Sequence, residues 1–342
     1  MSSSKKIKHD RVMVSVMQTR IALRTAERAG VDPAEVLAAA EIDPAILENP
    51  FGQVTAAQEG RMFREAIRLT GDRALPLRSG VEFETSDLDL MGFLIQSCSN
   101  AAEAIAVGGR YFEIFNTNLI QKHLEMQGDT CISTLISNIP DEEDRIPVME
   151  FVIGAVCVGS WKMFCLEGFA MDQVYLPYPR PSYAGEIEAL LGCPVEFDAE
   201  NYQYRFSSHW LSIPFAMARP ELKVTAQAHM DEVIRKYMPA NLLSREVRDF
   251  CREKLLNGGE SPRLIDLAEH MQIDARTLQN RLQREGHTFS MLLDQARTEM
   301  ALDYLTQPHL TLEEIAAKLG FQESASFSRA FRRWTGRPPR GN

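Results

Sequence analysis

An internal repeat in the last hundred residues constrains this chain more than any other feature of its sequence. The first copy, LIDLAEHMQIDARTLQNRLQREG, begins at Leu264, and the second, LEEIAAKLGFQESASFSRAFRRWTG, begins at Leu312. Each copy has an apolar residue followed by alanine, then a polar turn, and then two apolar residues four positions apart. That last spacing places both apolar residues on one face of a helix. Two helix-turn-helix units are therefore predicted, at about residues 262–286 and 311–336.

Small and capping residues near the two turns support this prediction. A helix-turn-helix needs a small residue in its first helix so that the second helix can cross it closely, and Ala268 and Ala316 meet that need. Gly320 is expected to end the first helix of the second unit in the left-handed conformation. In the first unit, Asp274 is placed to cap the helix that begins at Ala275.

The second helix of each unit has an apolar face and a polar face. Leu278 with Leu282, and Phe327 with Phe331, are predicted to face the core. The residues that point away are Arg276, Gln279 and Asn280 in the first unit, and Ala325, Ser328, Arg329 and Arg332 in the second. Arginine, glutamine and asparagine are the side chains that bind base edges bidentately in the major groove of DNA. One such helix is usually only a solvated amphipathic helix, but two spaced copies favour DNA binding.

A single helix is predicted between the two units, from Phe289 to Leu305. Seventeen residues at 1.5 Å each make a rod of about 25 Å. With the width of each unit added, the rod would hold the two second helices about one DNA turn, roughly 34 Å, apart. One chain would then contact two successive major grooves. Thr311 and Glu314 have the spacing of a capping box, so the free N–H groups of the helix that follows are a further candidate for phosphate binding.

The net charge of −10 argues against DNA binding only until it is divided along the chain. Residues 241–342 contain 15 basic and 14 acidic residues, a net charge of +1, so the acidity, −11, belongs to residues 1–240. Residues 275–284 contain three arginines and residues 324–340 contain five, with no acidic residue in either segment. Local positive surface is what contact with phosphate groups requires, whatever the total charge.

Length and patterning predict two domains, because 342 residues exceed the usual size of a single core. Residues 1–240 are assigned to a domain for effector sensing or dimerisation, which is mainly helical up to residue 117, α+β over 118–215, and ends in a connecting helix over 220–238. Residues 241–342 are assigned to a DNA-binding domain. The predicted fold class is thus an α+β domain followed by an all-α double helix-turn-helix domain.

Local signals predict the main elements of the first domain. One helix is expected over 12–29, and another follows Thr55, which has capping-box spacing to Gln58. Two strand-like segments on either side of Gln127-Gly128-Asp129 predict a β-hairpin. A long apolar helix is predicted from about Pro147 to Gly168.

The second copy of the repeat resembles the C-terminal signature of the AraC/XylS family of transcription regulators. The matching residues are Ile315-Ala316, Leu319-Gly320-Phe321, Phe327-Ser328-Arg329-Ala330-Phe331, Trp334, Gly336 and Pro339, and the resemblance covers about residues 245–340. It implies two helix-turn-helix units joined by a linker helix, each with one helix in the major groove.

The same resemblance implies a set of residues that contact DNA. Base reading is implied for Arg276, Gln279, Asn280, Ser324, Ala325 and Arg329. Phosphate contact is expected from Arg281, Arg284, Thr311, Ser328, Arg332, Arg333 and Arg337. Ala325 departs from the family pattern because it cannot hydrogen-bond a base, so the second unit is expected to read DNA mainly through Arg329 and through contact with thymine methyl groups. The family usually has a Tyr-Arg pair where this chain has Arg340-Gly341-Asn342, which leaves open how the last helix is anchored.

Residues 50–215 are similar to the N-terminal effector domain of one subgroup of this family, which includes ornithine-utilisation and virulence regulators. The matching stretches are Thr70-Gly71-Asp72, Ser79-Gly80, Ala101-Ala102-Glu103-Ala104 and residues 191–197. The resemblance implies effector sensing and dimerisation, and it names no ligand. Phe151, Trp161 and Phe164 either line an apolar ligand pocket between the long helix and the sheet or simply belong to the core.

Other classes of function have little support in the residues. The six cysteines include no C-x-x-C pair and have no nearby histidine, so neither a metal site nor a disulfide framework is expected, and no cofactor is implied. His123 and His209 are isolated, and no catalytic triad or carboxylate pair stands out, so the chain is predicted not to be an enzyme. The N-terminus lacks the apolar segment of a signal peptide, and the apolar run 151–161 is too short to span a membrane, which favours the cytoplasm.

The expected partner is double-stranded DNA at a promoter. A small-molecule effector, RNA polymerase and a second copy of the chain are the other expected partners, and the favoured role is an effector-responsive activator. Two alternatives stay open at this point. The first domain could only dimerise and bind no small molecule, or the chain could be an enzyme with a helical appendage.

Overall fold

A computed structural model describes residues 12–116, 119–215, 218–237, 239–258, 261–284, 287–305, 310–335 and 338–339. The chain divides into an N-terminal part, Met1–Val233, and a C-terminal part, Ile234–Asn342. Helices and strands alternate in the described residues of the N-terminal part, whereas every regular element described in the C-terminal part is a helix. The predicted fold class, an α+β domain followed by an all-α double helix-turn-helix domain, is confirmed.

The N-terminal part contains the following helices: α1 (Val16–Arg28), α2 (Pro33–Ala39), α3 (Ala56–Thr70), α4 (Leu75–Val81), α5 (Asp89–Gln96), α6 (Ala101–Phe115), α7 (Glu142–Gly154), α8 (Ser160–Met163), α9 (Ala184–Leu191), α10 (His209–Ser212) and most of α11 (Pro220–Tyr237), which continues past Val233. Its strands are β1 (Met13–Ser15), β2 (Gln53–Thr55), β3 (Ile120–Gln127), β4 (Thr130–Ser137), β5 (Gln173–Tyr175), β6 (Val195–Glu196) and β7 (Tyr202–Ser207). Two short 3₁₀ helices, Pro44–Glu48 and Thr85–Leu88, are also described.

The first strands form a small sheet that local patterning did not predict. β1 pairs with β2 in antiparallel register, with Val14 opposite Val54. The helix expected over 12–29 therefore begins only at Val16, where Ser15 caps it by accepting a hydrogen bond from the N–H of Met17 at 3.2 Å. The prediction was wrong at this end because the partner strand lies far along the chain, and periodicity within one segment cannot show it.

Strands β3 to β7 form a five-stranded sheet in the order β3-β4-β7-β5-β6. β3 and β4 are the two arms of the predicted hairpin, and the turn lies at Gly128, which has a φ of 59°. In β7, Tyr202, Tyr204 and Phe206 alternate onto the buried side of the sheet. β6 pairs in parallel with β5.

A long helical segment lies in the core of the N-terminal part. It begins at Glu142, where Asp141 caps the helix by accepting a hydrogen bond from the N–H of Glu143 at 3.0 Å. The segment continues through a π-helical turn, Ala155–Gly159, and ends at Met163. The predicted limits of this helix, Pro147 to Gly168, were therefore wrong at both ends. The sequence placed the start near Pro147, but Asp141, six residues earlier, caps the helix and fixes its start.

Glycines allow α4 and α7 to pack with their backbones almost in contact. A Cβ atom added to Gly80 would lie 2.1 Å from the carbonyl oxygen of Phe151, and one added to Gly154 would lie 2.4 Å from that of Leu77. By length and composition the segment 142–163 is the one candidate membrane span among the described residues, but 67% of its apolar window is buried within the fold. It is thus placed as the core helix of a globular domain.

The C-terminal part contains α12 (Pro239–Gly258), α13 (Leu264–His270), α14 (Ala275–Arg284), α15 (Phe289–Leu305), α16 (Leu312–Lys318) and α17 (Ser324–Thr335). Helices α13 and α14 make the first helix-turn-helix unit, and α16 and α17 make the second. Helix α15 has the predicted limits of the linker helix. One hydrophobic cluster joins residues from all six helices.

Candidate nucleic-acid interface

The first helix-turn-helix unit is closed by short-range hydrogen bonds. Ala268, which is 2% exposed, lies where α14 crosses α13, and its carbonyl oxygen accepts a hydrogen bond from the N–H of Ile273 at 3.0 Å. Asp274 caps α14 as predicted, because its Oδ1 accepts a hydrogen bond from the N–H of Thr277 at 2.8 Å, and its Oδ2 accepts one from the Thr277 hydroxyl. These bonds hold the pKa of Asp274 below its ordinary value.

The second unit repeats this arrangement with different residues. Ala316 is 1% exposed, and its carbonyl oxygen accepts a hydrogen bond from the N–H of Phe321 at 2.9 Å. Gly320 has a φ of 74°, the left-handed conformation that was predicted for it. The corresponding position of the first unit is Gln272, which also has a positive φ, 54°, although it is not glycine. The two turns therefore share one backbone shape, which costs the first unit some strain.

The predicted capping box at α16 is also present. The N–H of Thr311 donates to Oε2 of Glu314 at 2.7 Å, and the N–H of Glu314 donates to Oγ1 of Thr311 at 3.2 Å. Thr311 is exposed, so the start of α16 is open to solvent. A phosphate group could therefore approach this helix end.

The outer face of α14 consists of exposed polar side chains. Leu278 and Leu282 are 0% and 1% exposed, and they anchor the helix on the hydrophobic cluster. The predicted base-reading residues Arg276, Gln279 and Asn280 are exposed, and so is Arg281. Within the described chain, none of these four side chains forms a hydrogen bond or an ion pair with another residue. Their donors and acceptors are therefore open to solvent.

The outer face of α17 has fewer free polar groups. Phe327 and Phe331 are 0% and 2% exposed and face the cluster, as predicted. Ala325, Arg329 and Arg332 are exposed, whereas Ser324 and Ser328 are half-buried. The guanidinium of Arg329 donates to Oγ of Ser326 at 3.0 Å, which orients it along the helix surface.

Arg333 is engaged inside the C-terminal part. Its guanidinium donates to Oδ2 of Asp294 in the linker helix at 3.1 Å. A carboxylate partner neutralises part of the positive charge that a phosphate contact would use. Among the other predicted phosphate contacts, the side chain of Arg284 and the whole of Arg337 lie outside the described residues.

The linker helix contributes a buried arginine that the sequence pattern did not reveal. Arg297 is 8% exposed and lies between the two helix-turn-helix units. Its Nε donates to the carbonyl oxygen of Leu319 at 2.9 Å, and one of its terminal nitrogens donates to Oγ of Ser261, also at 2.9 Å. The guanidinium lies 4.5 Å from the centre of the Phe321 ring. Burial lowers the pKa of Arg297 from its ordinary value, and Asp294 opposes that shift.

The aromatic residues proposed for an apolar ligand pocket are buried in the N-terminal part. Phe151, Trp161 and Phe164 are 2%, 5% and 7% exposed. Trp161 stacks on Phe169 with 3.8 Å between ring centres, and Phe164 stacks on Phe215 at 4.7 Å. Phe151 also lies against another ring, that of Phe63, with 6.1 Å between ring centres, so each of the three rings packs on an aromatic neighbour.

A polar pocket of about 440 Å³ lies elsewhere in the N-terminal part, where the end of α3 meets the starts of α4 and α9. Its lining residues are Thr70, Gly71, Asp72, Arg73, Arg78, Ser182, Tyr183 and Glu186. Arg78 pairs with Asp72 at 2.8 Å and with Glu186 at 3.5 Å. Arg73 is exposed and donates to Oγ of Ser182 at 3.4 Å, a long bond that leaves most of its N–H groups open to a ligand.

A buried carboxyl group lies next to this pocket. Glu150 is 2% exposed, and its Oε1 accepts hydrogen bonds from the hydroxyls of Tyr178 at 2.7 Å and of Tyr183 at 2.9 Å. Burial raises the pKa of Glu150 to about 7, although the two hydroxyls oppose the shift. No group of three or more potential metal ligands occurs among the described residues.

Comparison with protein families gives two matches. Residues 30–215, more than half of the chain, match the model described as the arabinose-binding domain of AraC transcription regulator, N-terminal. Residues 267–341 match a helix-turn-helix domain. The first match covers the five-stranded sheet and the polar pocket, and the second begins at Leu267 and covers α14 and α17.

Several curated proteins are similar along most of their length. An HTH-type transcriptional regulator of Mycobacterium tuberculosis is 27% identical over 328 residues, which cover 95% of this chain and 94% of the relative. The ornithine utilization regulator of Pseudomonas aeruginosa is 27% identical over 318 residues, with 91% and 90% covered. Among solved structures, the transcriptional regulator CdpR of Pseudomonas aeruginosa matches with a TM-score of 0.43 and 21% identity, over 93% of this chain and 96% of that one.

Proposed function

The chain belongs to the AraC family of DNA-binding transcription regulators, and on that premise we propose that α14 and α17 enter two successive major grooves of one promoter site. The observation that carries the proposal is the pair of exposed helix faces, both free of acidic residues, on two units that share one core. The linker helix between them has 17 residues, a length of about 25 Å. With half the width of a helix pair at each end, this approaches the roughly 34 Å of one DNA turn.

The two units contribute differently in this proposal. The first unit reads bases through Arg276, Gln279 and Asn280, whose polar groups are free. The second unit reads bases mainly through Arg329, while the hydroxyl of Ser324 bonds a base edge and Ala325 contacts thymine methyl groups. Phosphates are bound by Arg281, Arg332, Ser328 and the start of α16 at Thr311. Arg333 acts mainly within the fold, because Asp294 holds it.

Selection of bound duplexes from a random pool by the full chain tests the proposal. Two short motifs, centred about one turn (roughly 10 base pairs) apart, are expected to be enriched. Footprints should show protection of both motifs on one face of the duplex. Enrichment of one motif only, or of none, would contradict the two-groove arrangement.

We propose the polar pocket between α3, α4 and α9 as the site of a small-molecule effector. An exposed guanidinium at Arg73 beside the hydroxyl of Ser182 suits a carboxylate or phosphate group on a polar metabolite. Tyr183, which lines this pocket, donates a hydrogen bond to the buried Glu150 of the core helix α7. A ligand that moves Tyr183 would therefore also affect the core helix. This proposal replaces the apolar pocket at Phe151, Trp161 and Phe164.

Thermal unfolding of the full chain across a library of polar metabolites tests the effector site. A ligand at 100 times its Kd stabilises the folded state by about 2.7 kcal/mol and raises the melting temperature by a few degrees. Arg73→Ala should abolish the shift, whereas the control Arg28→Ala, an exposed arginine on α1, should keep it. If no metabolite shifts the wild-type chain, the proposal of an effector site in this pocket is contradicted.

We further propose that the protein is a cytoplasmic homodimer that activates transcription by contact with RNA polymerase and catalyses no reaction. The full-length similarity to regulators supports this role. Light scattering of the full chain tests the dimer, and transcription in vitro from a promoter that carries the selected site tests activation. A monomer, or transcript levels that do not rise, would contradict these parts of the proposal.

A further inference from the structure

The separation of the two recognition helices depends on what fixes the linker helix. Apolar packing of α15 on the cluster is non-directional, so it allows small rotations and shifts of a helix. Hydrogen bonds from a planar guanidinium are directional, because its N–H groups form a rigid fork. Arg297 is the buried group on α15 that makes such bonds.

The contacts of Arg297 reach the second helix-turn-helix unit and the segment that leads into the first. On one side its Nε donates to the carbonyl oxygen of Leu319, at the C-terminus of α16, where carbonyl groups lack partners within the helix. A positive charge is also favourable at that helix end. On the other side it donates to Ser261, three residues before α13 begins. One side chain therefore joins the segment just before the first unit to the turn of the second.

The ring beneath the guanidinium extends this connection to α17. Phe321 lies 4.5 Å from the centre of charge of Arg297, and its ring is 5.9 Å from those of Phe327 and Trp334 on α17. The direction of α17 thus depends on a turn that Arg297 contacts twice, at Leu319 and at Phe321. The ion pair between Arg333 and Asp294 adds a second connection from α17 to the linker helix.

From these contacts we propose that Arg297 is a positioning residue that sets the spacing and rotational phase at which the protein accepts two half-sites. It touches no DNA. It keeps α14 and α17 at one separation, so that a duplex with a different number of base pairs between the half-sites fits only one of them. This inference rests on the proposed binding of two grooves by one chain.

The probe for the test is the duplex recovered by selection with the wild-type chain, together with versions in which one to five base pairs are added between the half-sites. Because B-DNA turns once in about 10.5 base pairs, five added pairs place the second half-site on the opposite face, and we expect wild-type affinity to fall by at least about tenfold. Arg297→Lys and Ser261→Ala should make the affinity much less dependent on spacing.

Ser261→Ala is the variant that keeps the test informative if Arg297→Lys folds poorly. Because Ser261 is exposed, alanine at this position leaves the packing intact and removes one of the two hydrogen bonds that Arg297 donates. Ser290→Ala, an exposed serine on α15 itself, is the matched control and should keep the wild-type spacing profile. Thermal unfolding measured in parallel separates stability from positioning, because a purely structural role lowers affinity by the same factor at every spacing.

Each outcome decides between the two proposals. Loss of spacing dependence in both variants supports the positioning role. Unchanged spacing dependence in both variants, with wild-type dependence intact, overturns it and leaves the two-groove proposal standing. A wild-type chain that binds every spacing equally, or selects no DNA, overturns the two-groove proposal itself.

Discussion

Replacing Arg276 by alanine should separate base reading from phosphate binding in the first unit. Arg276 is exposed on α14, and its side chain pairs with no other described residue. The packing of α14 depends on Leu278 and Leu282, which stay in place. We therefore expect the free energy of unfolding to change by less than about 0.5 kcal/mol. Any larger change in DNA binding then comes from the lost contact.

The magnitude follows from what an unpaired guanidinium can do in the major groove. If Arg276 binds a guanine bidentately, the variant should bind the selected duplex more weakly by about 1–3 kcal/mol, roughly 5- to 150-fold. On a random duplex the same change removes only one positive charge. There the slope of log affinity against log salt concentration should become shallower by at most about 1. The ratio of the affinity for the selected duplex to that for the random duplex is therefore expected to fall by most of this roughly 5- to 150-fold factor.

Arg281→Ala is the matched control, because Arg281 is exposed on the same helix and is predicted to contact phosphate. Its loss should weaken binding to both duplexes by similar factors. Fluorescence anisotropy at one salt concentration, with the selected and the random duplex, measures both ratios. Equal losses on the two duplexes for Arg276→Ala would refute the base-reading role, and so would a fall in specificity for Arg281→Ala of the same size.

Three further predictions concern stability. Gly80→Ala should destabilise the N-terminal part by about 1–3 kcal/mol, because the new Cβ meets a carbonyl oxygen of α7 at 2.1 Å. The matched change Gly109→Ala, in open space on α6, should stabilise it by about 0.5–1 kcal/mol, and chemical denaturation measures both. Gln272→Gly should raise the stability of the C-terminal part by up to about 1 kcal/mol, because it relieves a positive φ; a lower denaturation midpoint would contradict this. Burial raises the pKa of Glu150 to about 7, so the folded state retains a proton that the unfolded state releases above about pH 4.5, and stability should fall as pH rises from there to 7. Glu150→Gln should make the melting temperature less dependent on pH in this window. Burial also raises the pKa of Glu59 to about 8, which adds a dependence on pH of the same sign to both proteins. If the melting temperatures of the two proteins change equally with pH, Glu150 is not the group responsible.

Features that depend on neighbouring residues could be predicted from the sequence. The capping boxes at Thr55 and Thr311 and the cap at Asp274 join residues three positions apart, so the pattern of residue types is enough to identify them. The left-handed conformation of Gly320 and the limits of α15 also depend only on residues close by in the sequence, so they could be predicted as well. The repeat further showed that the pattern of two helices joined by a turn occurs twice, which made the fold of the C-terminal part predictable.

Features that depend on distant residues could not be predicted. The sheet of β1 and β2 needs a partner about 40 residues away, and nothing within either segment marks it. Arg297 has the sequence appearance of a surface arginine on an amphipathic helix, and only the folded chain brings Ser261 and Leu319 to it. The polar pocket likewise joins residues near positions 72 and 182, whose closeness no local pattern shows.

The shared core of the C-terminal part has a consequence for how such a tail can change over evolutionary time. Leu243, Val247 and Leu255 of α12 pack in the same cluster as Leu278 and Phe327, one from each helix-turn-helix unit. A chain that kept one copy of the repeat would expose the apolar faces of α12 and α15 to water, so the two copies must be inherited or lost together. The exposed residues of α14 and α17 do not pack in this cluster, so they can be substituted one at a time without loss of the core. The DNA sequence that such a protein recognises can therefore change while its fold is retained.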